Sequence, residues 1–72
     1  MTAPITLASA DFPAAPGTLA FKVVLRDFGE TAHDRYVTHC INEGETSHYW
    51  GHYFNDLREA RKDFHERCAR YS

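Results

Sequence analysis

In this 72-residue chain the spacing of apolar residues changes near Asn55, from every second residue to every third or fourth. Before that point, alternate residues from Leu19 to Leu25 are apolar, which is the period of a strand buried on one face. After it, apolar residues recur at the intervals of an amphipathic helix. These residues are Leu57, Ala60, Phe64, Cys68 and Tyr71. The sequence therefore predicts an α+β domain in which strands precede one C-terminal helix.

Two more segments before the helix are predicted to be strands, because they are rich in β-branched and aromatic residues. They are residues 35–42 and 47–54, and they follow a first strand at roughly residues 19–28. The polar segments between them, residues 29–34 and 43–46, each contain a glycine and are suited to turns. Short connections favour a meander, so we expect a three-stranded antiparallel sheet (β-β-β-α) with the helix packed on one face.

Residues 1–17 are predicted to form an N-terminal arm, because prolines interrupt any regular element there. The prolines are Pro4, Pro13 and Pro16. The remainder, residues 18–72, has room for a single small domain. Whether the arm covers the open face of the sheet is left undecided by the sequence.

Gly51 predicts which face of the sheet lies under the helix. A glycine inside a strand often marks a close backbone approach, so we expect Tyr49, Gly51 and Tyr53 under the helix with Ala60 above them. The strand-two residues expected to face this core are Val37, His39 and Ile41. The residues expected to face outward are Tyr36, Thr38, Cys40, His48, Trp50 and His52. A slip of one residue in register would invert the assignment.

Neither catalysis nor a bound metal or cofactor is predicted. His39 and Cys40 are neighbours on a strand, so their side chains point to opposite faces and cannot form a catalytic pair. The sequence has no glycine-rich phosphate loop and no paired-carboxylate motif. It also lacks a Cys-x-x-Cys pair, although it contains five histidines. We expect a non-enzymatic protein with two free thiols, Cys40 and Cys68.

The charge distribution argues against nucleic acid as the first choice of partner. The chain carries ten acidic and eight basic side chains, for a net charge of −2, whereas nucleic-acid-binding proteins usually carry a basic stripe. No apolar run approaches the length of a membrane-spanning helix, and the N-terminus lacks the features of a signal peptide. We therefore expect a cytoplasmic protein that does not associate with a membrane.

Residues 49–64, which read YWGHYFNDLREARKDF, resemble the last strand and helix of the plant ethylene-response-factor DNA-binding domain. Both endings have a glycine, an aromatic residue two positions later, a Glu-Ala pair and an aromatic residue in the helix. Here these are Gly51, Tyr53, the Glu59-Ala60 pair and Phe64. The resemblance implies a three-strand-plus-helix architecture only. That family reads DNA with arginines and tryptophans across its sheet, whereas this sequence offers only Lys22, Arg26 and Arg35 amid acidic strands. The DNA-reading residues of the family are therefore not carried over to this chain.

The strand-helix ending is also similar to small uncharacterised proteins encoded by bacteria, phages and other mobile elements. That similarity implies a bacterial or phage origin. Anti-CRISPR proteins, which are phage-encoded inhibitors of host defence, are often acidic single domains of this size. A regulator or inhibitor of a host system is therefore one hypothesis for this chain.

The function predicted from the sequence is a small protein-binding module that uses the open face of the sheet. Its predicted partner-binding residues are Trp50, Tyr36, His48 and His52, because exposed Trp and Tyr are frequent interface anchors. The partner is another protein or a second copy of the chain. The alternative is a nucleic-acid-binding domain that uses the same face, with phosphate contacts from Lys22, Arg26 and Arg35.

Replacing Trp50 with Ala tests this prediction. If Trp50 is an interface anchor, the variant is expected to lose partner binding while its urea unfolding stays cooperative. Loss of cooperative folding would instead identify Trp50 as a core residue.

Overall fold

In the residues that it describes, the computed structural model of the chain has four antiparallel strands followed by one helix. It describes the backbone of residues 4–44 and 48–71, and their side chains except those of residues 48–50. The elements are β1 (Ile5–Phe12), β2 (Phe21–Asp27), β3 (Tyr36–Asn42), β4 (His48–Phe54) and α1 (Leu57–Tyr71). The strands lie side by side in the order β1-β2-β3-β4. Among the described residues, no helix is long and apolar enough to cross a membrane.

The α+β class and the C-terminal helix are confirmed, but the prediction of three strands is wrong. The additional strand, β1, lies in the segment that was expected to be an arm. Pro4 and Pro13 flank β1 and do not interrupt it, so all of its residues can donate backbone hydrogen bonds. β1 pairs with β2 and extends the sheet sideways. It therefore does not cover the open face.

The helix packs on the face of the sheet that carries Val23 and Leu25. The register between β2 and β3 pairs Val23 with Cys40 and Leu25 with Thr38, and residues directly opposite each other point to the same face. The core consequently forms between these strands and the helix. Its buried members are Val23, Leu25, Tyr36, Cys40, Ala60 and Phe64.

The predicted face assignment of β3 is therefore inverted. Cys40 and Tyr36, which were expected to face outward, are 1% and 9% exposed and belong to the core. Val37 pairs across the sheet with Arg26 and lies on the face without the helix. The error came from the interpretation of Gly51. A Cβ atom at Gly51 would meet the Tyr53 hydroxyl at 2.9 Å, so the glycine leaves room for a side chain of its own strand.

The corner between β4 and α1 is fixed by two polar side chains. The Asp56 carboxylate accepts a hydrogen bond of 2.8 Å from the backbone N–H of Arg58, which is one of the N–H groups left unsatisfied at a helix start. Asn55 Oδ1 accepts one of 3.1 Å from the backbone N–H of Arg35, just before β3. The helix therefore begins at a set position relative to the sheet.

Aromatic contacts close the core at the end where β1 and β2 are joined. The rings of Phe12 and Phe21 are stacked with centroids 5.1 Å apart. Tyr71, at the end of the helix, meets Phe12 edge-on at 5.8 Å and Phe21 at 5.1 Å. This cluster joins β1 to the part of the core that the helix covers.

Replacing Phe12 with Ala tests whether the N-terminal segment is a strand of the folded domain. The loss of the ring contacts is expected to reduce the free energy of unfolding by about 2 kcal/mol, below the range for a fully buried Phe because Phe12 is half-buried. Leu7→Ala, at an exposed position of the same strand, is the control and should cost less than about 1 kcal/mol. Equal effects in urea denaturation would contradict a packed β1.

Candidate functional site

The four predicted partner-binding residues do not form one patch on the open face. Tyr36 packs in the core beneath the helix, and His52 contacts the helix residue Asp63. The prediction that these two side chains face away from the helix is wrong, because β4 pairs Phe54 with Tyr36 and His52 with Thr38 on the helix side. The side chains of His48 and Trp50 lie outside the described residues. Their role in binding stays a prediction.

A polar network joins the helix to the sheet, and Asp63 is at its centre. The His52 Nδ1 atom lies 2.9 Å and 3.0 Å from the two carboxylate oxygens of Asp63. The Thr38 hydroxyl, which is fully buried, donates to Oδ2 of the same carboxylate. Arg67 Nε lies 3.3 Å from Oδ2, one helical turn further along α1. The carboxylate therefore has partners from β3, from β4 and from its own helix.

Arg67 carries this network into the core. Its side chain is buried, and its Nη1 atom donates to the Cys40 sulfur at 3.5 Å. A guanidinium this deeply buried needs an opposite charge close by, and Asp63 supplies it. Burial raises the pKa of the Cys68 thiol and of the Tyr71 hydroxyl, and the neighbouring Cys40 raises both further. The contacts of Asp63 and Arg67 with Thr38 and Cys40 are shielded from solvent and join α1 to β3. This network therefore fastens the helix to the sheet.

The pKa of Asp63 is lowered from its ordinary value of 3.8. Burial raises the pKa of this carboxyl, but the hydrogen bonds from Thr38 and His52 and the charges of His52 and Arg67 outweigh that effect. The carboxylate is therefore held in its charged form.

The face without the helix carries a shallow apolar hollow between two exposed aromatic rings. Tyr53 of β4 is 63% exposed, and Phe28, just after β2, is 38% exposed. Between them lies Val37, which is only 5% exposed and pairs with Tyr53 across the strands. We call this site the aromatic hollow; it encloses about 240 Å³ and is lined by Phe28, Ala32, Asp34, Val37 and Tyr53.

A larger groove of about 670 Å³ lies at the opposite end of the sheet. It runs between residues 11–13, the start of β2 and the end of β3, and Lys22 and Asp11 stand in its wall. The Lys22 Nζ atom lies 3.6 Å from the Asp11 carboxylate. The Lys22 and Asp11 charges are thus directed at each other.

The three basic residues of the nucleic-acid alternative each have a partner within the chain. Besides the pair between Lys22 and Asp11, the Arg26 guanidinium lies 5.3 Å above the Phe28 ring. Arg35 binds the Asp27 carboxylate through two nitrogens, at 3.0 Å and 3.1 Å. The hydrogen bonds from Arg35 and from the Gly29 N–H lower the pKa of Asp27. A phosphate would have to compete with these contacts.

Histidines, cysteines and carboxylates do not converge on a metal site in the described part of the chain. No group of three or more of these residues there could hold a metal ion. Cys40 and Cys68 do not form a disulfide.

Sequence reasoning missed Phe28 and Tyr53 as candidate binding residues. One feature of the sequence bears on the exposed face. Lys22 and Arg26 alternate with the apolar core residues of β2, so their side of the strand is the face away from the core. Cross-strand pairing places Val37 opposite Arg26 and Tyr53 opposite Val37. The step from Arg26 to Tyr53 needs these two registers, which only the tertiary structure gives.

No protein-family model matches the chain, and no curated protein or solved structure matches it either.

The pH dependence of stability tests the Asp63 network. Because the pKa of Asp63 is lower in the folded than in the unfolded chain, the unfolded chain binds the proton more readily. The stability gained from this difference is present above the ordinary pKa of 3.8 and is lost as pH falls through the folded pKa. Asp63→Asn is expected to lower the free energy of unfolding by about 1–2 kcal/mol at neutral pH. The free energy of unfolding of the variant should also fall less between neutral and acid pH than that of the parent protein.

Urea denaturation at about pH 7 and about pH 3 measures both effects. Asp27→Asn is the matched control, because it removes a carboxylate whose pKa is also lowered but which does not contact the helix. An Asp63→Asn variant with the acid dependence of the parent protein would contradict the network.

Proposed function

We propose that this chain is a small non-enzymatic protein-binding module that binds its partner through the aromatic hollow on the face of the sheet without the helix. The supporting observation is a largely exposed tyrosine, Tyr53, beside a partly exposed Phe28 over the buried floor of Val37. Exposed aromatic residues around a concave apolar surface are typical of interface anchors, since a ring buries a large area with few rotatable bonds.

Backbone hydrogen bonds fix the positions from which the two rings project before any partner arrives. Tyr53 lies in β4 and is paired with Val37 of β3. The Phe28 N–H donates to the carbonyl of Arg35 at 2.7 Å, so the connection between β2 and β3 closes next to the hollow. A site of this kind loses little conformational entropy on binding.

The hollow also carries a polar element that can orient a partner. Asp34 stands in its wall and accepts a long hydrogen bond of 3.5 Å from Asn55 Nδ2. Protein interfaces have an apolar core and a polar rim, so a carboxylate at the edge of the hollow can orient a partner that binds the rings.

Protein is favoured over nucleic acid because an acidic side chain, Asp34, stands in the wall of the hollow. The basic side chains of the sheet contact groups within the chain, and one of them, Arg26, lies over the Phe28 ring. A nucleic-acid site needs basic side chains available to phosphates. The origin of the chain in a phage or mobile element, and an inhibitory role there, stay predictions from the sequence.

Tyr53→Ala tests the proposal. Tagged protein is used to capture partners from a bacterial lysate, and the captured proteins are quantified by mass spectrometry. The yield of the specific partner is expected to fall at least about tenfold, as it does for a truncated interface anchor. Leu19→Ala is the matched control, because Leu19 is equally exposed but lies outside the hollow.

Tyr53→Phe separates the ring from its hydroxyl and should retain most of the capture. A partner bound equally well by the parent, Tyr53→Ala and Leu19→Ala proteins would rule out the hollow as the binding site. Circular dichroism melting of each variant checks that the fold is intact.

A further inference from the structure

β1 is an edge strand, and its outer side has no neighbour among the described residues. The sheet order places it beside β2 alone. The outer edge of such a strand presents backbone N–H and C=O groups in the arrangement that another strand can pair with. Proteins that remain monomeric usually block such an edge with charged side chains, prolines, bulges or a covering segment.

β1 has few of these protective features along most of its length. Its single charge, Asp11, is paired with Lys22 of the neighbouring strand. The bulge lies near the beginning of the strand, between Thr6 and Ala8. Pro4 and Pro13 stand outside the strand. Residues 8–12 are therefore a regular segment with an open edge.

We infer that a second copy of this chain occupies that edge, with residues 8–12 of the two copies paired antiparallel about a two-fold axis. The two sheets then become one continuous eight-stranded sheet. Antiparallel pairing of identical strands is isologous, so both copies use the same surface and the assembly closes as a dimer. This inference goes beyond the proposed function, since it uses the edge of the sheet and not the aromatic hollow.

The bulge between Thr6 and Ala8 and the charge of Asp11 favour one register between the two β1 strands. An axis at Ala10, the midpoint of the regular segment, pairs the whole segment with itself and leaves the bulge outside. An axis at Ser9 or further toward the N-terminus brings the bulge into the ladder, which interrupts pairing. An axis at Asp11 places two carboxylates directly opposite each other, which is destabilising.

The side chains are complementary in the register centred on Ala10. On the helix side, Ala8 faces Phe12 of the second copy, so that a small residue meets a large one. Phe12 is half-buried and already stacked on Phe21, and the second copy would cover more of its ring. On the other side, Ser9 faces Asp11 of the second copy, and its hydroxyl can donate to that carboxylate.

Substitutions at Ser9 test both the dimer and its register. Ser9 is exposed, and the two-fold axis gives each dimer two pairs in which Ser9 of one copy lies opposite Asp11 of the other. Ser9→Asp creates two like-charge contacts and should weaken the dimer about fivefold, whereas Ser9→Lys creates two opposite-charge contacts and should leave it as tight or tighter. Sedimentation equilibrium of the full chain from about 5 to 500 µM covers the affinity expected of a small interface.

The expected result is a concentration-dependent dimer that responds in opposite directions to the two charges. A monomer throughout this range, or equal effects of Ser9→Asp and Ser9→Lys, would overturn the inference. Backbone hydrogen exchange locates the contact, because protection of residues 8–12 should rise with protein concentration. Protection that rises at β4 or around Tyr53 instead would also overturn it, and would assign the interface to the other edge or to the aromatic hollow.

Discussion

The register between β2 and β3 is the constraint on which the rest of the structure depends. Pairing Val23 with Cys40 and Leu25 with Thr38 puts four buried side chains on one face and gives the helix a surface to cover. A shift of one residue would turn Cys40 and Thr38 to the other face and would break up the core. The same register decides that Val37 lies on the face away from the helix.

The Asp63 network follows from that register and makes the helix position specific. Apolar contacts alone would let an amphipathic helix slide along the sheet, since they have little directionality. The Asp63 carboxylate contacts Thr38 of β3, His52 of β4 and Arg67 of the helix. These contacts can be satisfied together in only one arrangement. The Asp63 carboxylate and its partners therefore fix the position of the helix along the sheet.

Packing the helix on one face leaves the molecule with two surfaces of different character. The opposite face exposes the rings of Tyr53 and Phe28, which suit a partner's side chains. The outer edge of β1 exposes backbone groups, which suit another strand. Because the two surfaces are built from different parts of the sheet, a dimer formed through β1 would leave the aromatic hollow accessible in both copies. Protein binding and self-association are therefore compatible.

The sequence by itself determined the strands β2 to β4, the helix and the α+β class, because the period of the apolar residues is a local property of the chain. It did not determine β1, since its alternation is weak and its small residues, such as Ala8 and Ala10, resemble those of a linker. It also misplaced Tyr36 and His52, and therefore the candidate site. The side of the sheet that a residue faces depends on which residue of the neighbouring strand lies opposite it. That pairing joins residues such as Val23 and Cys40, which are distant in sequence, so only the tertiary structure decided it.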